Sequence, residues 1–172
     1  MKALFLGDSI TEGFDLERYF PGRDFANHGI SGFSSEELLD TIHAGWFKNQ
    51  PDVVFLCIGT NDLAREYDEA ETLDNIRQLV EKIRKYSPQG LKIYLTSLFP
   101  TSHNPPRKNP VIDKLNLEIH RLAREENIWY LNLNPFFKDE NGQLKREYTN
   151  DGLHLNDEAY SIWKKLIDEL LS

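Results

Sequence analysis

The chain has 172 residues, the length of one ordinary domain, and its 40% hydrophobic and 28% charged residues are typical of a globular protein rather than a disordered or fibrous one. Its formal net charge of −8 and the lack of a Lys/Arg cluster argue against a nucleic-acid or anionic-membrane surface, because both require clustered positive charge. We therefore expect a single domain over residues 1–172 with no nucleic-acid or membrane partner, and we interpret the acidity as serving solubility.

The only cysteine, Cys57, lies within the apolar run Val53–Ile58, where a thiol behaves as a small buried hydrophobic group. A single cysteine allows neither an internal disulfide nor a cysteine-based zinc site. The apolar run at the N-terminus is too short for a signal-peptide core, and no stretch approaches the ~20 apolar residues that span a bilayer. These observations predict a cytoplasmic protein.

Five short apolar runs recur along the chain, and each has the continuous hydrophobic character of a strand that is buried on both faces. Such strands are typical of a parallel sheet. The runs are Ala3–Leu6, the weaker Phe25–His28, Val53–Ile58, Ile93–Ser97 and Ile128–Leu133.

The segments between the runs carry helical patterns. Ser34 and Glu37 form a Ser-x-x-Glu capping box in front of an apolar stripe. Apolar residues at steps of three and four predict further helices over 73–86, 112–123 and 160–171. This alternation of strands and helices predicts an α/β fold with a doubly wound parallel sheet.

Three short polar motifs follow the first three predicted strands, at Gly7–Thr11, Asn27–Gly32 and Gly59–Asp62. Because functional residues of a doubly wound sheet gather beyond the carboxyl ends of its strands, we expect the three motifs at one edge. Two long loops, at 99–110 with four prolines and at 134–150, are expected to form pocket walls or lids.

Ser9, Asp151 and His154 together point to nucleophilic catalysis. A serine hydroxyl is a poor nucleophile until an imidazole takes its proton, and a carboxylate fixes the tautomer of that imidazole. On a turn, Asp151 can reach the Nδ1 atom of His154 while Nε2 points toward Ser9. Other roles stay open: Ser9 as a helix N-cap or part of an anion-binding loop, and His154 as a cap of the last helix beside a turn aspartate.

Asn61 and Gly29 are candidate donors to an oxyanion. The Asn61 amide follows the third strand and can be aimed into the cleft, and Gly29 offers a backbone N–H with no side chain nearby. The alternatives are an Asn-Asp turn that stabilises only the local backbone and a simple turn glycine.

Four blocks of the chain resemble those of the SGNH hydrolases, also called the GDSL family of lipases and acylhydrolases. They occur in the family's order, cover nearly the whole chain, and read Gly-Asp-Ser at 7–9, Asn-x-Gly at 27–29, Gly-x-Asn-Asp at 59–62 and Asp-x-x-His at 151–154. The chain is especially similar to the branch of platelet-activating-factor acetylhydrolase-like and carbohydrate acetylesterase-like proteins.

The resemblance implies a flavodoxin-like, three-layer α/β/α fold with a five-stranded parallel sheet, and ester cleavage without a metal or other cofactor. By position, it implies that Ser9 is the nucleophile, His154 the general base and Asp151 its orienting partner. The backbone N–H groups of Ser9 and Gly29 and the side chain of Asn61 would form the oxyanion hole.

The sequence therefore predicts a serine esterase that removes a short acyl group, chiefly acetyl, from carbohydrate or other small-molecule esters. Candidate substrate-binding residues are Phe33, Phe99, His103 and Tyr148. The alternatives are a thioesterase or lysophospholipase acting on longer acyl chains, a non-catalytic sugar-binding relative, and a flavodoxin-like nucleotide binder. The His, Asp and Glu spacings predict no metal site, and the sequence does not determine whether the protein forms homo-oligomers.

Overall fold

The computed structural model describes residues Met1–Ser172 and places all five apolar runs in one sheet. Every neighbouring pair of strands is parallel, and the spatial order is β2-β1-β3-β4-β5. This order is that of the flavodoxin-like doubly wound sheets, so the predicted fold is confirmed. The strands are β1 (Lys2–Gly7), β2 (Asp24–Gly29), β3 (Val53–Cys57), β4 (Lys92–Thr96) and β5 (Trp129–Leu131).

The strand β5 is shorter than the apolar run that predicted it. It keeps three residues in the ladder, Trp129–Leu131, against Tyr94–Thr96 of β4. A short helix begins soon after, at Asn134 with a proline in its first turn, and it takes the chain out of the extended conformation.

The helices lie on both faces of the sheet. Helices α3, α5 and α6 pack side by side, and α8 inserts Trp163 into the core against Phe5 of β1. None of the eight helices has both the length and the apolar character that a bilayer crossing requires. The helices are α1 (Ser9–Glu12), α2 (Leu16–Tyr19), α3 (Ser35–Thr41), α4 (Thr60–Ala64), α5 (Glu69–Tyr86), α6 (Asn109–Glu125), α7 (Asn134–Phe137) and α8 (Asp157–Leu171).

Side-chain caps set the beginnings of helices α3, α5 and α8. The predicted capping box is present: the Ser34 hydroxyl accepts from the Glu37 N–H, and the Glu37 carboxylate accepts from the Ser34 N–H at 2.8 Å. Asp68 caps α5 and Asn156 caps α8, and their side chains accept hydrogen bonds from backbone N–H groups of the first turn. These caps satisfy N–H groups that would otherwise lack a partner within the helix.

The two predicted long loops are more structured than expected. The first gives way to helix α6 at Asn109, so the loop ends before its fourth proline. The second contains α7 and a turn of 3₁₀ helix at Arg146–Tyr148. The segments 101–108 and 149–154 remain irregular and lie together, because the Ser102 N–H donates to the Gly152 carbonyl at 2.8 Å.

Candidate active site

Ser9 begins helix α1 immediately after strand β1. The N-cap of that helix is Asp8, whose carboxylate accepts from the Ile10 N–H at 3.0 Å, so the Ser9 hydroxyl is not used for capping. The turn is tight, because a Cβ at Gly7 would lie 2.5 Å from the Cys57 carbonyl oxygen. Glycine at this position therefore allows β1 to turn directly into α1.

The side chains of Ser9, His154 and Asp151 form one chain of hydrogen bonds. The Ser9 Oγ atom lies 3.1 Å from His154 Nε2, and His154 Nδ1 lies 2.6 Å from Asp151 Oδ2. Because a carboxylate can only accept, Nδ1 carries the proton, which leaves the Nε2 lone pair facing the serine hydroxyl. The structure thus joins residues 145 positions apart in the sequence into one hydrogen-bonded chain, a geometry that suits a nucleophile, a base and an orienting group.

Asp151 is held in its ionised form. Partial burial of the carboxylate opposes this, but the hydrogen bond from the His154 ring and those from the Leu153 and His154 N–H groups lower the pKa of Asp151 to about 2. An ionised carboxylate next to Nδ1 favours the tautomer described above and stabilises the ring when Nε2 takes up a proton.

The turn that carries Asp151 and His154 is fixed by Thr149, a residue that sequence reasoning missed. Its hydroxyl donates to the His154 carbonyl at 2.7 Å and accepts from the Gly152 N–H at 2.9 Å. Threonine hydroxyls often bond to nearby backbone groups in turns. A threonine two residues before Asp151 was therefore the one local feature of the sequence that could have indicated this role. Since Asn156 is the N-cap of α8, His154 is not the cap of the last helix.

Asn61 lies in α4, the helix that follows β3, and its side chain is bonded at both ends. Its Nδ2 atom donates to the Phe33 carbonyl at 2.9 Å, and its Oδ1 atom accepts from Arg107 Nη2 at 2.9 Å. The second N–H of the amide has no protein partner. It is therefore available to an oxyanion. Arg107 was not singled out from the sequence, where it is an isolated arginine in a proline-rich loop.

The neighbouring Asp62 points away from the cleft and is 1% exposed. It accepts from the N–H of Ser35 at 2.9 Å and from its hydroxyl at 2.5 Å, and the Thr72 hydroxyl donates to it at 3.3 Å. These bonds tie α4 to the first residue of α3 and to α5. The last residue of the Gly-Thr-Asn-Asp motif therefore anchors the helix that presents Asn61.

The Gly29 N–H is not free. It donates to the Asn27 side chain at 2.7 Å, which corrects the expectation of an uncommitted donor at this position. The glycine is explained by packing, because a Cβ there would collide with the backbone of Glu12. Gly32 of the same motif has a φ of 80°, and its own N–H makes no hydrogen bond.

The four predicted substrate-binding residues separate into two groups. Phe99 and Tyr148 are 3% and 8% exposed and pack against Phe137 in the core, so the expectation that they line a pocket is corrected. Phe33 is half-buried and adjoins the site through the hydrogen bond that its carbonyl accepts from Asn61. His103 is exposed and lines a cavity of about 490 Å³ together with Arg107.

No three His, Cys, Asp or Glu side chains come together in a way that could hold a metal ion. The site described above is built from hydrogen-bond donors and acceptors of the chain itself. What it offers chemically is a serine hydroxyl beside a histidine base and an amide donor.

Residues 5–162 match the model of the GDSL-like Lipase/Acylhydrolase family. The chain belongs to this family. This match confirms the resemblance found in the sequence.

Two relatives and one solved structure are similar to this chain over nearly its whole length. An N-acylneuraminate cytidylyltransferase from Escherichia coli is 29% identical over 171 residues, which are 96% of this chain and 39% of the relative. Platelet-activating factor acetylhydrolase IB subunit alpha1 from Rattus norvegicus is 24% identical over 180 residues, which are 99% of this chain and 75% of the relative. A GDSL-like lipase from Bacteroides thetaiotaomicron superposes with a TM-score of 0.85 and is 29% identical, with 99% of this chain and 87% of that chain covered.

The chain spans only 39% of the length of the E. coli cytidylyltransferase. Its match to that relative therefore concerns a part of a longer protein. The acetylhydrolase and the GDSL-like lipase match over 75% and 87% of their own lengths.

Proposed function

We propose that the protein is a serine esterase in which Ser9 attacks the ester carbonyl and His154 takes the serine proton. The observation that carries this proposal is the continuous chain of hydrogen bonds from Ser9 Oγ to His154 Nε2, at 3.1 Å, and from His154 Nδ1 to Asp151, at 2.6 Å. The base is within hydrogen-bond reach of the proton that it must abstract, and its partner fixes the tautomer.

The oxyanion of the tetrahedral intermediate would be held by the Ser9 N–H and the free N–H of the Asn61 amide. As the first residue of α1, Ser9 has no intrahelical partner for its N–H. For the third donor we favour Gly32 over Gly29. The Gly29 N–H is already engaged, whereas the Gly32 N–H makes no hydrogen bond, and Gly32 adjoins Phe33, whose carbonyl contacts Asn61.

Collapse of the intermediate expels the alcohol, which leaves with the proton from His154, and the acyl group stays on Ser9 Oγ. A water molecule then attacks this acyl-enzyme while His154 again acts as the base, and the carboxylic acid leaves Ser9 with its proton restored. Asp151 stays ionised throughout, in keeping with its lowered pKa of about 2.

We infer that the preferred acyl group is short, with acetyl as the leading candidate, and that the alcohol is a carbohydrate or another small molecule. The side chains of His154 and Asp151 are 50% and 53% exposed, which suits a bulky alcohol reaching an open site. Phe99 and Tyr148 are committed to the core and do not line the site for a long acyl chain. The rat relative's name, acetylhydrolase, supports the same choice.

The test is to measure kcat/KM for p-nitrophenyl acetate, butyrate and octanoate and to assay release of acetate from acetylated sugars. Acetyl esters should be the best of the series, and Ser9→Ala should abolish turnover while Ser161→Ala, on the surface of α8, should not. Octanoate as the best substrate would favour the longer-chain alternative, and turnover by Ser9→Ala would overturn the proposed nucleophile.

A further inference from the structure

Arg107 contacts the site but has no carboxylate partner. The loop between β4 and α6 carries it to the far side of Asn61, where Nη2 donates to Asn61 Oδ1 at 2.9 Å and Nε donates to the Thr60 carbonyl at 3.0 Å. Its Nη1 atom donates to Asn104 Oδ1 at 3.3 Å. All three acceptors are neutral, and the guanidinium makes no ion pair.

A half-buried guanidinium without a carboxylate in direct contact is unfavourable for the folded chain. Six of the other eight arginines are paired, for example Arg65 with Glu37 at 2.9 Å and Arg77 with Glu125 at 2.7 Å. Burial lowers the pKa of Arg107, and only the charge of the buried Asp8 opposes this. Arg107 therefore does not stabilise the folded protein through an ion pair, and its position needs another explanation.

The hydrogen bonds of Asn61 fix the orientation of its side-chain amide. A guanidinium has only donors, so it can bond only to the oxygen of the Asn61 amide, and the Phe33 carbonyl can bond only to the nitrogen. The opposite orientation of the amide would place donors against donors at Arg107 and oxygen against oxygen at Phe33. The two contacts together hold the Asn61 nitrogen in place with one N–H uncommitted.

We propose that Arg107 is a positioning residue that holds the Asn61 amide for the oxyanion and places its positive charge behind that amide. This inference rests on the proposed function. A charged donor on Oδ1 polarises the amide and strengthens its N–H as a donor. The guanidinium has no direct ion-pair partner in the resting protein, and negative charge develops on the nearby substrate oxygen in the transition state. The interaction is then stronger in the transition state than in the ground state and should affect kcat more than KM.

The experiment is a double-mutant cycle with p-nitrophenyl acetate on Arg107→Met, Asn61→Ala and the double variant. Arg107→Met should lower kcat roughly 10- to 100-fold with KM within about threefold, because a hydrogen bond to a charged group is worth roughly 1.5–3 kcal/mol. In the Asn61→Ala background the same change should lower kcat by less than about threefold, since its target is gone. Equal losses in both backgrounds would overturn the inference.

Two controls separate this role from folding and from charge in general. Lys108→Met removes the neighbouring exposed charge, which makes no hydrogen bond or ion pair, and should leave kcat within about twofold. Arg107→Gln keeps an uncharged donor at the position and should give an intermediate kcat. Thermal unfolding of each variant shows whether it is folded, and the Gln variant replaces the Met variant in the cycle if the latter is not.

Failure of the inference and failure of the proposed function give different results. Equal activity of the wild type and Ser9→Ala would overturn the proposed function and this inference with it. A Ser9-dependent activity that Arg107→Met leaves unchanged would overturn the role of Arg107 alone.

Discussion

Asp151 holds His154 in two places at once. One carboxylate oxygen, Oδ2, accepts from the ring Nδ1 at 2.6 Å, and the other, Oδ1, accepts from the His154 backbone N–H at 2.7 Å. The same side chain thus sets both the path of the turn and the orientation of the ring within it. A substitution that keeps the contact to the backbone N–H but removes the acceptor for Nδ1 can separate the two roles of Asp151.

Asp151→Asn is expected to lower kcat for p-nitrophenyl acetate by a factor on the order of 10³–10⁴ with little loss of stability. The amide oxygen can still accept from the backbone N–H groups, but the amide nitrogen then faces Nδ1 and favours the tautomer with the proton on Nε2. That tautomer cannot take the Ser9 proton. Measurement of kcat checks the expected loss of activity, and the thermal unfolding temperature checks that the stability is retained.

The matched control is Asp139→Asn, since Asp139 also accepts from two backbone N–H groups in a turn, at 2.8 and 2.9 Å, and contacts no histidine ring. It should leave kcat unchanged. An Asp151→Asn variant with nearly normal kcat would show that His154 does not depend on the carboxylate for its tautomer.

Gly152→Ala should impair both stability and activity. Gly152 has a φ of 83°, and a Cβ there would collide with the Ser102 carbonyl oxygen. Gly142→Ala is the control, because Gly142 has a similar φ of 73° but open space around the new methyl group. We expect Gly142→Ala to cost about 1 kcal/mol with normal kcat, and Gly152→Ala to cost roughly 1–3 kcal/mol more with a lowered kcat. Equal effects in urea unfolding would mean that the contact with Ser102 is unimportant.

Asn61→Ala should lower kcat roughly 100- to 1000-fold with a small change in KM, which is the usual consequence of losing one oxyanion donor. Some loss of stability is also expected, because the contacts to Phe33 and Arg107 disappear. Asn75→Ala provides the comparison: Asn75 is equally buried and donates to Ser35 at 3.1 Å, but it lies in the network behind α4. A loss of kcat as large in Asn75→Ala would assign the effect to packing rather than to the oxyanion.

Asp8 should make the stability of the protein depend on pH. Burial raises the pKa of Asp8 to about 7, although the hydrogen bond from the Ile10 N–H and the charge of Arg107 oppose this. Between pH ~4 and ~7 the folded protein then binds the Asp8 proton more tightly than the unfolded chain does, so stability falls as the pH rises through this window. Asp8→Asn stays neutral and can still accept from Ile10.

Urea unfolding at several pH values checks this. The free energy of unfolding of the wild type should fall relative to that of Asp8→Asn by up to about 4 kcal/mol between pH 4 and pH 7, and the difference should level off above pH 7. Parallel curves for the two proteins across this range would contradict a raised pKa for Asp8.

The local patterns of the sequence were enough to predict the sheet, the long helices and the family. Runs of apolar residues, a capping box at Ser34 and helical stripes act over a few neighbouring residues, so they can be read from the chain directly. The same is true of the blocks around Ser9 and His154, which the structure brings to hydrogen-bond distance.

What only the tertiary structure decided is which polar groups and aromatic rings are already engaged. Asn27 occupies the Gly29 N–H, the core takes up Phe99 and Tyr148, and Arg107 reaches Asn61 across 46 positions of sequence. Contacts of this kind depend on the path of loops and on competition for partners in three dimensions, and neither is encoded in the spacing of residues along a chain. The sequence determined the elements and their order, whereas packing determined which donors remain free for chemistry.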